Sequence, residues 1–218
     1  MYLSSHPLDR YFFEIKTFTN CKLADLPQRI DEDEKSETKE KIAIAGIVTE
    51  VKNVTTRSGS PGGRITLEDY SGPYEIALFG KDFEAYMAYM QLHSQLFIEG
   101  EVAERYTISK EEKAKGRKAP YSFRIKNVSL LGNVSSSKIK SLQISIDSSL
   151  LNEAFRKNLL RLIKAWPGTT TLKVWLNDAP TGYRVELHSK KFQVAVCADL
   201  LSGLERLGIN YTAELSNG

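Results

Sequence analysis

The sequence predicts a β-barrel followed by a small α+β domain, and two observations support this. Short runs of alternating apolar and polar residues fill 42–131, with one helical interruption after Gly80. Further alternating runs, separated by two helical patterns, follow residue 141. Alternation is typical of half-buried strands, whereas spacings of three and four residues are typical of helices. The predicted segments are a lead-in and acidic linker (1–40), a barrel domain (41–131), a linker (132–140) and an α+β domain (141–218).

Five strands and one helix account for the barrel domain. The predicted core-facing positions are Ile42, Ile44, Gly46 and Val48; Ile65 and Leu67; Tyr74, Ile76 and Leu78; Leu96, Ile98, Gly100 and Val102; and Tyr121, Phe123 and Ile125. Between the third and fourth strands, Phe83, Tyr86, Met87 and Met90 have helical spacing. Long loops follow the first and fourth strands. This order predicts an oligonucleotide-binding (OB) fold, a five-stranded barrel whose long loops flank the binding face.

The last segment predicts a unit of approximately β-α-β-β-α-β order. The strand positions are Leu142, Ile144 and Ile146; Leu172, Val174 and Leu176; Val185 and Leu187; and 211–215. Leu151, Phe155, Leu159, Leu162 and Ile163 predict the first helix, and 202–207 the end of the second. A cap from Asp147, Ser148 or Ser149 and a stop at Pro167 define the first helix. The polar runs 31–41 and 132–141 are interpreted as linkers.

No recognisable catalytic motif occurs in the sequence. The three histidines lie in separate segments and form no HExxH metal site. There is neither a GxxxxGK[ST] phosphate loop nor a GxSxG nucleophile elbow. The densest acids, 31–34, lie in a predicted linker, and Asp69 is explained as a turn residue. We expect no catalytic residue, no metal site and no cofactor.

Cysteine usage and hydropathy predict a cytoplasmic protein without a membrane segment. Cys21 and Cys197 are too few for a disulfide framework or a zinc site. No run of about 18 apolar residues occurs. The N-terminus also lacks the pattern of a secretory signal.

Charge is unevenly distributed although the net charge is only +3. Residues 105–126 carry eight bases and two acids, whereas 25–40 carry seven acids and three bases. A local excess of positive charge fits a phosphate backbone. The alternative is a solvated loop whose lysines only maintain solubility.

The candidate nucleic-acid-binding residues are bases and aromatics beside the two long loops. They are Arg57, Arg64, Arg105, Tyr106, Lys113, Lys115, Arg117, Lys118, Tyr121, Arg124 and Lys126. Single strands are held by a basic groove and by aromatic faces on which bases stack. Tyr106 and Tyr121 either stack on bases or cover the barrel mouth. Phe79 and Phe97 fall on the phase opposite the core, which leaves them as either core or stacking residues.

Several motifs resemble the alpha subunit family of bacterial DNA polymerase III. They are YLSSHPLDRY (2–11), IAIAGIVTEV (42–51), GGRITLEDYSGPYEIALF (62–79) and FIEGEV (97–102). The tail, with LLRLIKAWPGTTTLKVWL (159–176) and YRVELHSKKFQVAVCADLLSGLERLG (183–208), is similar in layout to the C-terminal domain of that family. The resemblance covers nearly the whole chain. The first motif and the hairpin are the more specific ones.

The resemblance implies a C-terminal fragment of a DNA-directed DNA polymerase, a nucleotidyltransferase. The family's catalytic palm with its metal-binding aspartates lies upstream of these motifs. The OB barrel is then expected near single-stranded template DNA, and the tail on the clamp-loader tau subunit, within the cytoplasmic replisome.

Two other functions remain open at this point. The barrel could instead be a protein-interaction module that contacts the upstream polymerase domains, because the aromatic lead-in needs a surface to cover. The second alternative is an anticodon-binding OB domain of a tRNA synthetase, although a synthetase's catalytic domain would be several times longer than this tail.

Overall fold

The computed structural model describes residues 6–36, 40–56, 59–105 and 119–216. Its strands are β1 (Ile42–Thr55), β2 (Pro61–Asp69), β3 (Gly72–Phe79), β4 (Gln95–Glu104), β5 (Tyr121–Leu130), β6 (Ile139–Asp147), β7 (Pro167–Asp178), β8 (Tyr183–Val194) and β9 (Asn210–Leu215). Its helices are α1 (Phe12–Phe18), α2 (Leu26–Lys35), α3 (Gly80–Tyr86), α4 (Leu131–Lys138), α5 (Glu153–Ala165) and α6 (Ala198–Arg206). None of the helices in these described ranges is long and apolar enough to cross a membrane.

The chain divides into two compact units. The barrel unit holds the residues up to Asp9 together with Ile15–Leu131. The terminal unit holds Arg10–Glu14 together with Gly132–Gly218. Each unit has its own sheet.

The barrel unit is built on a five-stranded antiparallel sheet of order β3-β2-β1-β4-β5. Its central strand has two partners, since residues 42–47 pair with β4 and residues 47–55 pair with β2. Ile44, Ile65 and Ile98 are among the fully buried residues of the single core that the strands enclose. The predicted OB-fold barrel and its alternating core positions are therefore confirmed.

Helix α3 closes one end of the barrel. Phe83, Tyr86 and Met87 pack against the core, and the Tyr86 hydroxyl donates to the Lys126 carbonyl at 2.9 Å. A Cβ atom at Gly63 would lie 3.1 Å from the Met87 sulfur, so a glycine there lets the helix approach β2. A helix between the third and fourth strands is the arrangement that the sequence predicts.

Asp69 organises the turn between β2 and β3. One of its carboxylate oxygens accepts the backbone N–H groups of Ser71 at 2.7 Å and Gly72 at 3.2 Å. Its other oxygen accepts the N–H of Leu23 at 2.9 Å. The interpretation of Asp69 as a turn residue is confirmed, and the same side chain also attaches the segment before α2 to the barrel.

The predicted solvated linker over 31–41 is wrong for its first half, which belongs to α2. Leu26 is fully buried in the barrel core, and Ile30 packs against that core. Arg29 and Asp33 form an i,i+4 ion pair at 3.6 Å. The apolar residues that anchor this helix precede the acidic run, so the composition of the run alone does not reveal the helix.

The second predicted linker, 132–140, is also wrong, because α4 and the start of β6 occupy it. Leu131 and Val134, three residues apart, are fully buried. The Ser137 hydroxyl donates to the Val134 carbonyl at 3.0 Å. Small polar residues usually indicate a loop, but here two buried apolar side chains hold the segment as a helix.

The terminal unit is a four-stranded sheet of order β8-β7-β6-β9. β6 and β7 are parallel and are connected through α5, whereas β8 and β9 are antiparallel to their neighbours. A Cβ atom at Gly203 of α6 would lie 2.4 Å from a methyl carbon of Leu162 in α5, so the two helices require a glycine to pack this closely. The predicted β-α-β-β-α-β order is confirmed.

The cap of α5 differs from the predicted one. Asn152 accepts the backbone N–H of Phe155 at 2.9 Å and caps the helix. Asp147 instead accepts the N–H of Ser149 at 2.9 Å, in a separate 3-10 turn over Ser148–Leu150. The helix therefore begins later than predicted.

Glu14 is a buried carboxyl group of the terminal unit. The Ser135 hydroxyl donates to its Oε1 at 2.7 Å. Its Oε2 atom is buried without a hydrogen-bond partner among the described residues. Burial raises the pKa of Glu14, which the bond from Ser135 only partly offsets. The ionised form of Glu14 therefore opposes folding.

We expect Glu14→Gln to stabilise the chain increasingly as the pH rises. A carboxyl whose pKa is higher in the folded state favours folding most when it is protonated, and this advantage is lost as the pH rises through the folded-state pKa. Glutamine keeps an oxygen acceptor for Ser135 without a charge. Urea denaturation at about pH 5 and about pH 8 measures the free energy of unfolding. The exposed Glu153→Gln is the control; a Glu14 variant without any pH-dependent gain would contradict this account.

Candidate nucleic-acid interface

The outer face of β1, β2 and β3 carries side chains in register across the three strands. Lys52, Arg64 and Ala77 form one row. The next row contains Gly62 and Phe79, together with Val54. Because Ile65 and Ile76 face the core, these rows face outward. The face thus places an aromatic ring one row from two cations.

Phe79 is exposed on this face and is supported by a glycine. Its side chain is 38% exposed. A Cβ atom at Gly62 would lie 2.4 Å from the Phe79 ring, so the ring rests on the strand backbone where any other residue would displace it. An exposed ring held in this way offers a flat surface to a nucleic-acid base.

The cations of this face are already in ion pairs. Arg64 lies 3.3 Å from Glu75, and Lys52 lies 2.8 Å from Glu50. All four side chains are about half exposed. Exposed pairs of this kind are weak, so a phosphate could compete for the cation, although the acid would remain nearby.

A groove of about 380 Å³ lies between β3 and β5 of the barrel unit. Phe79 of the outer face and Arg105 both line it. On β5, Arg124 lies 4.0 Å from Asp82. The β3 and β5 edges are the outer edges of the sheet, so this groove is where the barrel remains open.

One long loop begins at Arg105, which lines this groove, and the other ends two residues before Gly62, which lies opposite Phe79. The Arg105 N–H donates to the Pro120 carbonyl at 2.8 Å, which joins the two ends of the β4–β5 loop. The Thr56 N–H donates to the Ser60 carbonyl at 2.9 Å, which closes the β1–β2 loop next to Pro61 and the Gly62 row. The stems of both loops are therefore held by backbone hydrogen bonds, while most of the predicted loop residues lie outside the described ones.

The structure divides the predicted binding residues into three groups. Those outside the described residues are Arg57, Tyr106, Lys113, Lys115, Arg117 and Lys118. Those exposed on the barrel unit are Arg64, Arg105, Arg124 and Lys126. Tyr121 is half-buried and packs against the barrel core. Lys126 is paired with Glu101 at 2.9 Å.

The structure distinguishes the two phenylalanines that the sequence left as either core or stacking residues. Phe97 is only 1% exposed and is a core residue, whereas Phe79 is on the surface. Phe97 lies opposite Ala45 of β1, which is also buried, so this part of the sheet is buried on both faces. Lys52 also lies on the outer face of β1, β2 and β3, although the sequence did not predict it as a binding residue. A bulge between Val48 and Glu50 changes the phase of β1 and turns Lys52 to that face.

The aromatic lead-in contacts its own barrel unit. The Tyr70 hydroxyl donates to Asp9 at 2.9 Å, and the His6 and Tyr70 rings lie 4.5 Å apart. Burial and the carboxylate of Asp9 together raise the pKa of Tyr70 to about 12. Part of the surface that the lead-in needs to cover is thus supplied by this chain.

Comparison with known proteins gives two family matches. Residues 42–148 match the OB-fold nucleic acid binding domain, and residues 142–213 match the DNA polymerase III alpha subunit, C-terminal domain. The DNA polymerase III subunit alpha of Vibrio cholerae is 25% identical over 95% of this chain and 16% of that protein. The Haemophilus influenzae protein of the same name is 28% identical over 78% of this chain and 13% of that protein.

The chain thus spans about one sixth or less of the length of these relatives. Among solved structures, the mitochondrial single-stranded DNA binding protein Rim1 from S. cerevisiae aligns with 43% of this chain and 97% of that chain, at 16% identity and a TM-score of 0.29. The family matches and the curated relatives agree. Over nearly its whole length, this chain resembles the C-terminal region of bacterial DNA polymerase III alpha subunits, with an OB-fold domain followed by that family's C-terminal domain.

Proposed function

We propose that this chain is a non-catalytic part of a replicative DNA polymerase III alpha subunit. Its barrel unit binds single-stranded template DNA, and its terminal unit docks the clamp-loader tau subunit. The parent protein is then a DNA-directed DNA polymerase of the bacterial cytoplasm, with its other domains upstream. The supporting observation is the exposed Phe79 ring resting on Gly62, in a groove that Arg105 also lines.

Single-stranded DNA suits this surface better than a duplex does. A stacked base needs an accessible ring, and unpaired bases expose both of their faces. Phe79 supplies such a ring, and Arg64 and Lys52 lie one row away. The sequence of the β4–β5 loop adds five bases against two acids within 106–118. Recognition of this kind does not depend on base sequence.

We expect Phe79→Ala to weaken binding of a labelled oligo(dT). Loss of one base–aromatic stack costs about 1–3 kcal/mol, or about 5-fold to 100-fold in affinity. Fluorescence anisotropy at low salt measures the dissociation constant. Phe12→Ala, which removes an exposed ring elsewhere, is the matched control and should bind as the wild type does.

Three results would count against this site. Equal affinity of the Phe79 variant and the wild type would move DNA binding away from this face. No anisotropy change for the wild type would favour the protein-interaction function instead. A preference for structured RNA over oligo(dT) would favour the tRNA-type alternative.

We expect neutralisation of four loop bases to flatten the salt dependence of binding. The variant replaces Lys113, Lys115, Arg117 and Lys118 with glutamine. Each phosphate contact that is lost lowers the slope of log affinity against log salt by about 0.7 for a single strand. The control neutralises a matched set of four bases on α5, namely Arg156, Lys157, Arg161 and Lys164. An unchanged slope in the loop variant, or an equal loss in the control, would place the phosphate contacts elsewhere.

We expect the immobilised full chain to retain purified tau subunit from the same bacterium. The match of residues 142–213 to the C-terminal domain of the alpha subunit supports this half of the proposal. Phe79→Ala is the control, since it alters only the barrel unit and should leave tau retention intact. Failure of the wild-type chain to retain tau would exclude tau as the partner while leaving DNA binding untouched.

A further inference from the structure

The first half of β8 carries an apolar surface that the terminal unit leaves open. Tyr183 is 74% exposed, and Val185 and Leu187 are each 50% exposed. These side chains alternate along the strand and therefore share one face. Val185 pairs with Leu176 and Leu187 with Val174, so this is the face on which the sheet's buried apolar residues lie.

Burial on that face decreases strand by strand towards β8. Leu142 and Ile144 of β6 are fully buried, and Val174 of β7 is half-buried. Val185 and Leu187 of β8 then stand half exposed. The helical layer thus covers the middle of the sheet and the end of β8, where Val194 is fully buried, and leaves the first half of β8 open. Alternating exposed apolar residues on one strand are unusual unless a partner covers them.

The backbone of β8 is also open on its outer side. The sheet order places β8 at an end, with β7 as its neighbour within the described residues. An edge strand presents N–H and C=O groups that another extended chain can pair with. Pairing of this kind is a common mode of peptide recognition, in which backbone bonds give affinity and alternate side chains give specificity.

The charges around this edge favour an acidic partner. β8 carries Arg184, Lys190 and Lys191, against Glu186 as its one acid. The Arg184 guanidinium stacks over the Trp175 ring at 3.9 Å and keeps its charge there. The exposed side of the neighbouring α5 carries Arg156, Lys157, Arg161 and Lys164, against Glu153. Antiparallel pairing of two β8 strands would bring their cations close together, and like charges across a pair are destabilising. A second copy of this chain is thus a poor occupant.

We propose that the open edge of β8 binds an extended acidic peptide segment of a partner protein. The segment adds as a fifth strand to the sheet, and its alternate apolar side chains cover Val185 and Leu187. Its acidic side chains alternate to the opposite face, beside Arg184, and the net positive charge of β8 and α5 attracts the segment as a whole. This proposal rests on the docking half of the proposed function and is independent of DNA binding.

The probe for this surface is a fluorescein-labelled peptide of about ten residues with alternating valine and aspartate. We expect the full chain to bind it with a micromolar dissociation constant in an anisotropy titration. The double variant Val185→Thr with Leu187→Thr keeps strand-compatible side chains but removes the apolar surface, and it should weaken binding about fivefold or more. Leu215→Thr is the matched control, because Leu215 is 48% exposed on the opposite edge strand, β9.

Hydrogen exchange distinguishes strand addition from simple apolar contact. We expect the peptide to slow exchange of β8 amides and to leave β9 amides unchanged. A peptide of alternating valine and lysine should bind more weakly. Absence of β8 protection, equal loss in the Leu215 variant, or preference for the lysine peptide would overturn the proposal.

The result of the peptide experiment can be distinguished from the result of the tau experiment. If the double variant binds tau as the wild type does, tau docking stands and the β8 surface fails. If tau is not retained by the wild-type chain but the acidic peptide protects β8, the surface stands and tau is not its partner. A dimer in sedimentation that the double variant abolishes would assign the edge to self-association and overturn the proposal.

Discussion

The barrel unit depends on the double pairing of β1. A single strand of 14 residues pairs with β4 over its first part and with β2 over the rest, and a bulge between Val48 and Glu50 follows closely on the change of partner. A bulge bends a strand and increases its twist. The close approach of Glu68 to Gly46, where a Cβ atom would lie 3.0 Å from the Glu68 carbonyl oxygen, occurs beside that bend. The curvature turns the two outer strands, β3 and β5, towards each other. The groove between them, with Phe79 and Arg105 in its lining, follows from this path.

The alternation of apolar and polar residues predicted the strands well, because it follows directly from the burial of one face of each strand. Ile42, Ile44 and Val48 all face the core, although the strand pairs with two different partners. The predictions failed for helices whose apolar side chains are buried against residues that lie elsewhere in the sequence. Helix α2 is anchored by Leu26 and Ile30 in the barrel core, and α4 by Leu131 and Val134, whose burial cannot be inferred from the polar residues around them. Phe97 is buried because β4 is covered on both faces, which a period of two does not reveal.

The candidate site was predictable in charge but not in geometry. The excess of bases in 105–126 is a property of composition and needs no structure. The contact of Phe79 with Gly62 joins residues 17 positions apart and depends on the register of β2 and β3. The pairing of Arg64 with Glu75 depends on the same register. Some cations that look available in the sequence are therefore partly neutralised in the fold. Only the strand pairing shows which cations have an acid beside them.

This neutralisation separates two contributions to the proposed binding of DNA. If a phosphate takes Arg64 from Glu75, the carboxylate remains close to the phosphate, so the exchange gains little electrostatic free energy. The same holds for Lys52 beside Glu50 and for Lys126 beside Glu101. In the proposed complex with DNA, the outer face of the barrel therefore contributes through stacking on Phe79, which depends weakly on salt. A steep salt dependence must come from other cations, and the loop bases in 110–118 outnumber the acids beside them. The two contributions can thus vary independently, since one is set by strand register and the other by loop composition.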